Sequence, residues 1–379
     1  MCNVTTVQGT SRKAAPYRFD VVGSFLRPEA LKKARAQFGK GEITEAELKQ
    51  IEDREIIQLV EQQKAAGLQA VTDGEFRRSW WHLDFMWGLD GVEKAGSEKG
   101  YQFNGIETRA ETACLNGKIG FSDHPFVEHF RFLKQAAGDD VVARQTIPAP
   151  AQFLAELLRP ENNASTDKYY SSTDELARDI AQAYHKAILA FYEEGCRNIQ
   201  LDDCTWGMLC DREFAKTMQG AGVDTAEIAK LYARVNQEAV EGLPSDLVVT
   251  THVCRGNYYS TWASSGGYEP VAETLFGIQH IDGYYLEFDT ERAGDFTPLK
   301  ELKDQQVVLG LFSSKTGVLE DKDVIVARIK EAAEIVGLDQ ICLSPQCGFA
   351  STEEGNLLTE EEQWRKLAFI KEIAEEIWS

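Results

Sequence analysis

His252 and Cys254 stand two residues apart in the run VVTTHVC, and Glu287 and Cys347 close the runs YYLE and ICLSPQC further along the chain. In an extended segment residues i and i+2 point to the same side, so His252 and Cys254 can face one ion together. An imidazole, two thiolates and a carboxylate match zinc in chemistry and in number. A buried cysteine by itself is usually a small core residue. What lifts this set above that reading is the coincidence of metal-binding types at the ends of three separate apolar runs. Among the other cysteines, Cys342 sits inside an apolar run and reads as core. Cys204 and Cys210 flank TWGML and read as local thiols and not as ligands, while Cys2, Cys114 and Cys196 show no partner pattern.

Such residues need a frame that brings distant runs to one place. Short apolar or β-branched runs predict strands over 19–23, 68–72, 141–145, 198–201, 247–251, 283–286, 307–311 and 340–343. Amphipathic stretches between them predict helices over 45–66, 173–194, 225–241, 322–336 and 360–377. Thr44 with Glu47, and Thr359 with Glu362, have the spacing of capping boxes. Eight strands alternating with helices point to an α/β fold, a single (β/α)8 TIM barrel spanning 1–379. A doubly wound open sheet is the other arrangement of the same elements. The stretch 91–138 breaks the alternation; it holds Asn116-Gly117 between TACL and KIGF and is expected to be an insertion after the second strand, bearing a β-hairpin and shielding the barrel mouth. A barrel builds its site at the C-terminal ends of its strands. There the sequence places Ser24, Asp73-Gly74-Glu75, Asp202-Asp203, His252, Cys254, Glu287, Ser313-Ser314-Lys315 and Cys347.

Composition narrows the class. The 379 residues are 43% hydrophobic and 27% charged, enough for a sizeable core, and carry a net charge of -21. That charge disfavours nucleic acid and anionic membranes as partners. Eight cysteines fall far short of a disulfide scaffold. Met1–Pro16 lacks the apolar core of a signal peptide, and no run is long enough to span a membrane. A cytoplasmic location is expected, where reduced thiols are free to bind metal.

The motifs GSFLRP at 23–28, TDGEFRR at 72–78, IQLDD at 199–203, THVC at 251–254, YLEFD at 285–289 and SPQCGF at 344–349 resemble, in order, the catalytic half of cobalamin-independent methionine synthase. The chain is similar to the short, single-barrel relatives of that enzyme. The resemblance implies a (β/α)8 barrel whose zinc holds homocysteine, with His252, Cys254, Glu287 and Cys347 as ligands. It also implies that Ser24, Glu75 and Asp202 hold the amino acid's carboxylate and ammonium, with a helix N-terminus beside Ser24 receiving the carboxylate. The implied reaction is methyl transfer to homocysteine, forming methionine. A zinc alkyltransferase acting on another thiol, and a zinc protein without catalysis, are the alternatives. The carboxylate ligand argues against a purely structural site, since those are usually closed sets of Cys and His.

The chain also departs from the pattern. Where the long enzyme has Asp-Ile-His after the seventh strand, with His as proton donor to the leaving folate, Ser313-Ser314-Lys315 stands here. Lys315 becomes the candidate acid, and the identity of the methyl donor, folate or another compound, is left open. The folate-facing Trp after the third strand has no counterpart in PAPAQFLAE, and Asp203 replaces a Glu. Asp202 and Asp203 could also form a carboxylate pair for a divalent cation. Arg77, Arg78, Trp80, Trp81 and His82 read either as helical packing or as a wall in which Arg meets an anionic donor and Trp covers it.

Overall fold

The computed structural model describes residues 14–379; Cys2 and most of the stretch read above for the absence of a leader lie outside the described residues. Seven strands form one parallel sheet: β1 (Ala70–Val71), β2 (Val142–Pro148), β3 (Asn198–Asp202), β4 (Val248–Val253), β5 (Gly283–Glu287), β6 (Gln306–Phe312) and β7 (Ile341–Pro345). Each pairs with its neighbour in sequence, from β1 at one side to β7 at the other. A doubly wound sheet would reverse its strand order partway, so that alternative is set aside. The result is an α/β fold with a curled parallel sheet, consistent with a TIM-barrel-like architecture.

The segment around Phe19 lies between the two sides of this sheet. Phe19 bridges Leu343 of β7 in parallel, and the N–H of Asp20 donates to the Leu343 carbonyl at 2.9 Å. Towards β1, the Thr72 hydroxyl donates to the Gly23 carbonyl at 2.5 Å and the N–H of Phe25 to that of Gly74 at 3.2 Å. A full strand was expected over 19–23, and only the Phe19 bridge forms. The Asp20 carboxylate accounts for this: it accepts the N–H groups of Tyr17 and Val21 at 2.9 and 2.8 Å, so a side chain takes bonds that a ladder would otherwise make.

The helices follow the apolar periodicity closely. Glu45–Ala66 and Glu360–Trp378 begin in capping boxes at Thr44 and Thr359, as the spacing to Glu47 and Glu362 requires. Thr173–Glu193, Thr225–Val240 and Lys322–Val336 are capped by Ser172, Asp224 and Asp321. Among the described residues, no helix is long and apolar enough to cross a membrane.

Between β1 and β2 the chain makes two small antiparallel pairings. Asp90–Gly96 pairs with Glu111–Gly120, and Gln102–Phe103 with Ile106–Glu107. The turn expected at Asn116-Gly117 does not exist, because both residues lie inside the Glu111–Gly120 strand. The register slips between Asp90 and Val92, and a Cβ on Gly117 would sit 3.3 Å from the Gly91 Cα. Gly117 thus serves a close backbone approach at a bulge and not a turn. A second Asn-Gly pair makes the tight turn instead: Gly105, at φ +79°, follows Asn104 between the shorter strands.

Alternation along the strands sorts the interior. On β3, Asn198, Gln200 and Asp202 share one side of the strand, and on β4 Thr250 and His252 do the same. Inside the curled sheet, Arg144 donates to both oxygens of Asp20 at 2.8 Å and to Asn198 at 2.7 Å, and the Tyr285 hydroxyl donates to Asp20 at 2.8 Å. Val22, Tyr285, Val308 and Cys342 pack as an apolar layer, which bears out Cys342 as a core residue.

Candidate metal centre

The C-terminal ends of β4 and β7 meet at one point. One ligand-capable atom each from His252, Cys254 and Cys347 lies within 4.8 Å of the others, and all three residues are buried. Backbone and hydroxyl contacts hold the pieces. The N–H of Asp203 donates to the His252 carbonyl at 2.8 Å, fixing β4 against the end of β3. The loop carrying Cys347 is tied by the Ser314 hydroxyl and the Asn257 amide, which donate to the Gly348 carbonyl at 2.9 and 2.8 Å. Gly348 has to be glycine, because a Cβ there would fall on Ser24 Oγ.

His252 has the tautomer a metal ligand needs. Its Nδ1 lies 3.2 Å from the Tyr285 carbonyl, which can only accept, so Nδ1 carries the proton. Its Nε2 is buried and has no hydrogen-bond partner. An imidazole oriented by a carbonyl, with its other nitrogen open toward two cysteine sulfurs, suits a zinc ion. The Cys254 thiol is pulled well below the ordinary range by hydrogen bonds from the Cys204 and Cys347 thiols, while those two are pushed up by the same contacts and by burial.

Glu287 is fully buried at the end of β5 but stands outside the three-residue cluster. Its Oε2 accepts the backbone N–H of Arg255 at 2.7 Å, and its Oε1 accepts both terminal nitrogens of Arg292 at 3.0 and 2.7 Å. Lys315 has its Nζ 4.0 Å from Glu287 Oε1 and without a hydrogen-bond partner; it does not line the cavity described next. Cys204, read from sequence as a local thiol near the site, is in direct contact: its Sγ is 3.2 Å from that of Cys254.

The cluster opens into a cavity of ≈ 640 Å³, whose wall includes Ser24, Glu75, Asp202 and Cys204. Glu75 is held by an unusual backbone: it has φ +62° directly after Gly74 at +65°. A non-glycine residue in that region stores strain, and such strain concentrates at functional positions. Glu75 Oε1 accepts from Thr146 Oγ1 at 3.0 Å and pairs with Arg78 at 3.2 Å, whereas its buried Oε2 has no partner. Burial raises its pKa against the pull of Arg78 and Arg27. Asp202 Oδ1 accepts from Gln200 at 2.9 Å, and burial pushes the Asp202 carboxyl up to about 7. Two carboxyl groups with spare acceptor capacity therefore face one cavity.

Several expectations are corrected. Asp203 is no partner of Asp202: fully buried, it accepts from the N–H and hydroxyl of Thr205, from Trp206 Nε1 at 2.9 Å and from Asn236 at 2.9 Å. Its oxygens are taken up by the turn that follows β3 and by Asn236, as strand alternation turns it away from Asp202. No helix starts beside Ser24; the next begins at Glu29, after Pro28, and residues before a proline favour extended backbone. Ser24 Oγ instead accepts the N–H of Ala350 at 3.3 Å. Neither arginine of the TDGEFRR run is free for an anionic donor. Arg77 pairs with Glu52 at 3.0 Å and Asp53 at 2.5 Å, and Arg78 with Glu75 and the Thr146 carbonyl. Trp80, Trp81 and His82 do line the cavity, and His82, lowered to about 3 by burial, stands neutral beside Tyr101 at 3.1 Å. Tyr101 and Phe103, from the small antiparallel segment, also reach the cavity, and the Asn104 N–H anchors that segment to the Trp262 carbonyl at 2.8 Å. Sequence reasoning did not single out these two aromatics; the second Asn-Gly pair beside them was the available signal.

The family model described as the catalytic domain of cobalamin-independent synthase matches residues 19–114 and 162–375. An uncharacterised Bacillus subtilis protein, YxjG, is 48% identical over 97% of this chain and 96% of its own length. A methionine synthase of Pyrococcus abyssi is 22% identical over 86% of this chain and 85% of its own. The crystal structure of a Listeria monocytogenes protein, provisionally named a vitamin-B12 independent methionine synthase, superposes with a TM-score of 0.77 at 45% identity, covering 97% of this chain and 100% of that one.

Proposed function

Because the chain belongs to the cobalamin-independent synthase catalytic-domain family, and methionine synthases are among its relatives, we propose that it is a zinc-dependent S-methyltransferase that converts homocysteine to methionine in the cytoplasm. The observation that carries this reading is the bare, buried Nε2 of His252 beside Cys254 and Cys347, at the edge of a cavity that also holds Glu75 and Asp202. We read the segment around Phe19 as the eighth stave that closes the barrel around this site.

His252, Cys254 and Cys347 would hold the zinc, and zinc so bound supplies one thing: it keeps a substrate thiol as thiolate at a pH where a free thiol, of pKa near 8.5, is mostly protonated. The protein's own residues do the rest. Glu75 and Asp202 receive the substrate ammonium, Glu75 through its unpartnered oxygen. Ser24, held between Gly348 and the Ala350 N–H, meets the substrate's carboxylate end. Trp81, His82, Tyr101 and Phe103 exclude water from the approach of the donor. The methyl carbon's bond to the donor breaks as its bond to sulfur forms, and the electron pair leaves with the donor.

The donor is where this chain differs from the long enzyme. With Lys315 in the place of the proton-donating His, and not on the cavity wall, protonation of a poor folate leaving group lacks its acid. Donors with better leaving groups, of sulfonium or methylcobalamin type, are expected to react faster than methyltetrahydrofolate. The test is methionine formation by the zinc-loaded protein with each donor in turn; a zinc protein without catalysis would form none.

A further inference from the structure

A cavity of ≈ 640 Å³ is larger than an amino-acid thiol fills. Its polar residues stand beside the three-residue cluster: Gly348 packs on Ser24, and Asp202 lies level with His252 across β3 and β4. Beyond Cys204 the lining changes character. Met208, Phe214, Met218, Ile228, Leu231 and Tyr232 line it from three helices that touch one another, Thr205–Leu209, Arg212–Gly220 and Thr225–Val240. The first of these helices is pressed against the cluster, since a Cβ on Gly207 would run into the Cys254 carbonyl. The apolar lobe is therefore continuous with the place where the substrate sulfur is bound.

Three features say what the lobe is built to hold. Helix Arg212–Gly220 buries no residue, and its Phe214 and Met218, one turn apart and half-buried, line the cavity. Gln152, on a helix that touches two of the three, is also on the wall, and its buried Oε1 has no hydrogen-bond partner. Apolar walls with few polar groups among them are the usual make-up of a ligand pocket, and an acceptor left bare inside a protein is costly until a ligand meets it. The third feature is charge. Among the described residues the arginines and lysines on the wall are Arg159 and Arg255, and both are engaged. Arg159 pairs with Glu156 at 3.2 Å and with Glu161, while Arg255 donates to the Gly266 carbonyl at 2.6 Å and lies over the Tyr268 ring. An anionic tail would meet no free counter-charge here, and burying it unpaired is unfavourable.

We infer that this lobe receives the body of the methyl donor, and that the donor is an apolar compound without an anionic tail. The inference rests on the thiol-methylation reading above and names the chemical class of its second substrate. It accords with a sulfonium donor. The donor's methyl–sulfur bond breaks as the methyl carbon bonds to the substrate thiolate, and the electron pair stays on the donor sulfur. A neutral thioether is left in the lobe, and no proton is needed.

S-alkyl homocysteines carry a tail where the methyl group arrives, so they probe the lobe by binding and not by turnover. Calorimetry on the full-length, zinc-loaded protein with methionine, S-propylhomocysteine and S-pentylhomocysteine should show affinity rising about fourfold for each added methylene. S-(4-carboxybutyl)homocysteine, matched in length to the pentyl compound, should bind at least about tenfold more weakly than it. Met218→Asp, and Ile228→Asp on the neighbouring helix, should each remove most of the gain from the pentyl tail and leave methionine binding as before. Affinity that stays level or falls with tail length, a carboxylated tail that binds as well as the pentyl one, or a gain unchanged in both variants would overturn the inference and leave the thiol reading standing. A series in which no member binds, methionine and homocysteine included, overturns both.

Discussion

Asp202 is the sharpest place to perturb substrate recognition without touching the metal. Asp202→Asn keeps the size of the side chain and an oxygen for Gln200, which now donates to it at 2.9 Å. What it removes is negative charge from the cavity wall. A hydrogen bond to a charged group is worth about 1.5–3 kcal/mol, so homocysteine should bind roughly 10- to 150-fold more weakly. Glu75→Gln should act in the same direction through the loss of its unpartnered oxygen's charge, although it also disturbs the pair with Arg78 at 3.2 Å. The discriminating ligand is 4-mercaptobutanoate, which keeps the thiol and carboxylate of homocysteine and lacks the ammonium. Calorimetric titration of the zinc-loaded protein should show 4-mercaptobutanoate binding unchanged or slightly tighter in Asp202→Asn. Equal weakening of both thiols would show that Asp202 does not read the ammonium, and the reasoning from the two cavity carboxylates would fail.

Three further outcomes follow from the same structure. Cys254→Ser and Cys347→Ser should each lose most of the bound zinc, measured by atomic emission after dialysis; full retention in both would remove the centre as drawn. In single-turnover assays at equal donor concentration, a sulfonium or methylcobalamin-type donor should outpace methyltetrahydrofolate; a fastest rate with methyltetrahydrofolate, unchanged in Lys315→Ala, would refute the argument from the 313–315 replacement. His124 is buried as the neutral tautomer, with Nε2 2.8 Å from the Phe85 carbonyl and Nδ1 accepting from Phe126, and burial lowers its pKa to about 4. The unfolded chain then binds the extra proton between pH of about 6.5 and about 4, so stability should fall as pH drops through that window, by up to about 1.4 kcal/mol per pH unit from this group. Denaturant melts of His124→Asn should show a shallower pH slope than the unmutated protein; an identical slope would contradict the assignment.

Much of the frame was legible because its signals are local. Helices over 45–66 and 322–336 have the bounds expected from periodicity and capping, and seven parallel strands fall on apolar runs. His252, Cys254 and Cys347 come together because each ends such a run. What sequence could not resolve was contact between elements distant in the chain. Nothing in IQLDDCTWG says that Cys204 will touch Cys254, since that depends on how Asp203 and Gly207 seat the turn. The engagement of Glu287 by Arg255 and Arg292 is equally non-local, as is the Asp20–Arg144 pair at 2.8 Å inside the curled sheet. Asp20 was read as part of a strand, but its side chain captures the backbone of its neighbours. At 116–117, local turn chemistry lost to a bulge, while the same dipeptide at 104–105 made the turn.

The most direct measurement is methyl transfer itself, followed by mass spectrometry with an isotopically labelled methyl group on each donor. The zinc-loaded protein should form labelled methionine from homocysteine with at least one donor, metal-stripped protein should form none, and added zinc should restore the activity. Labelled methionine formed equally well by the stripped protein, or by neither form with any donor, would contradict the account.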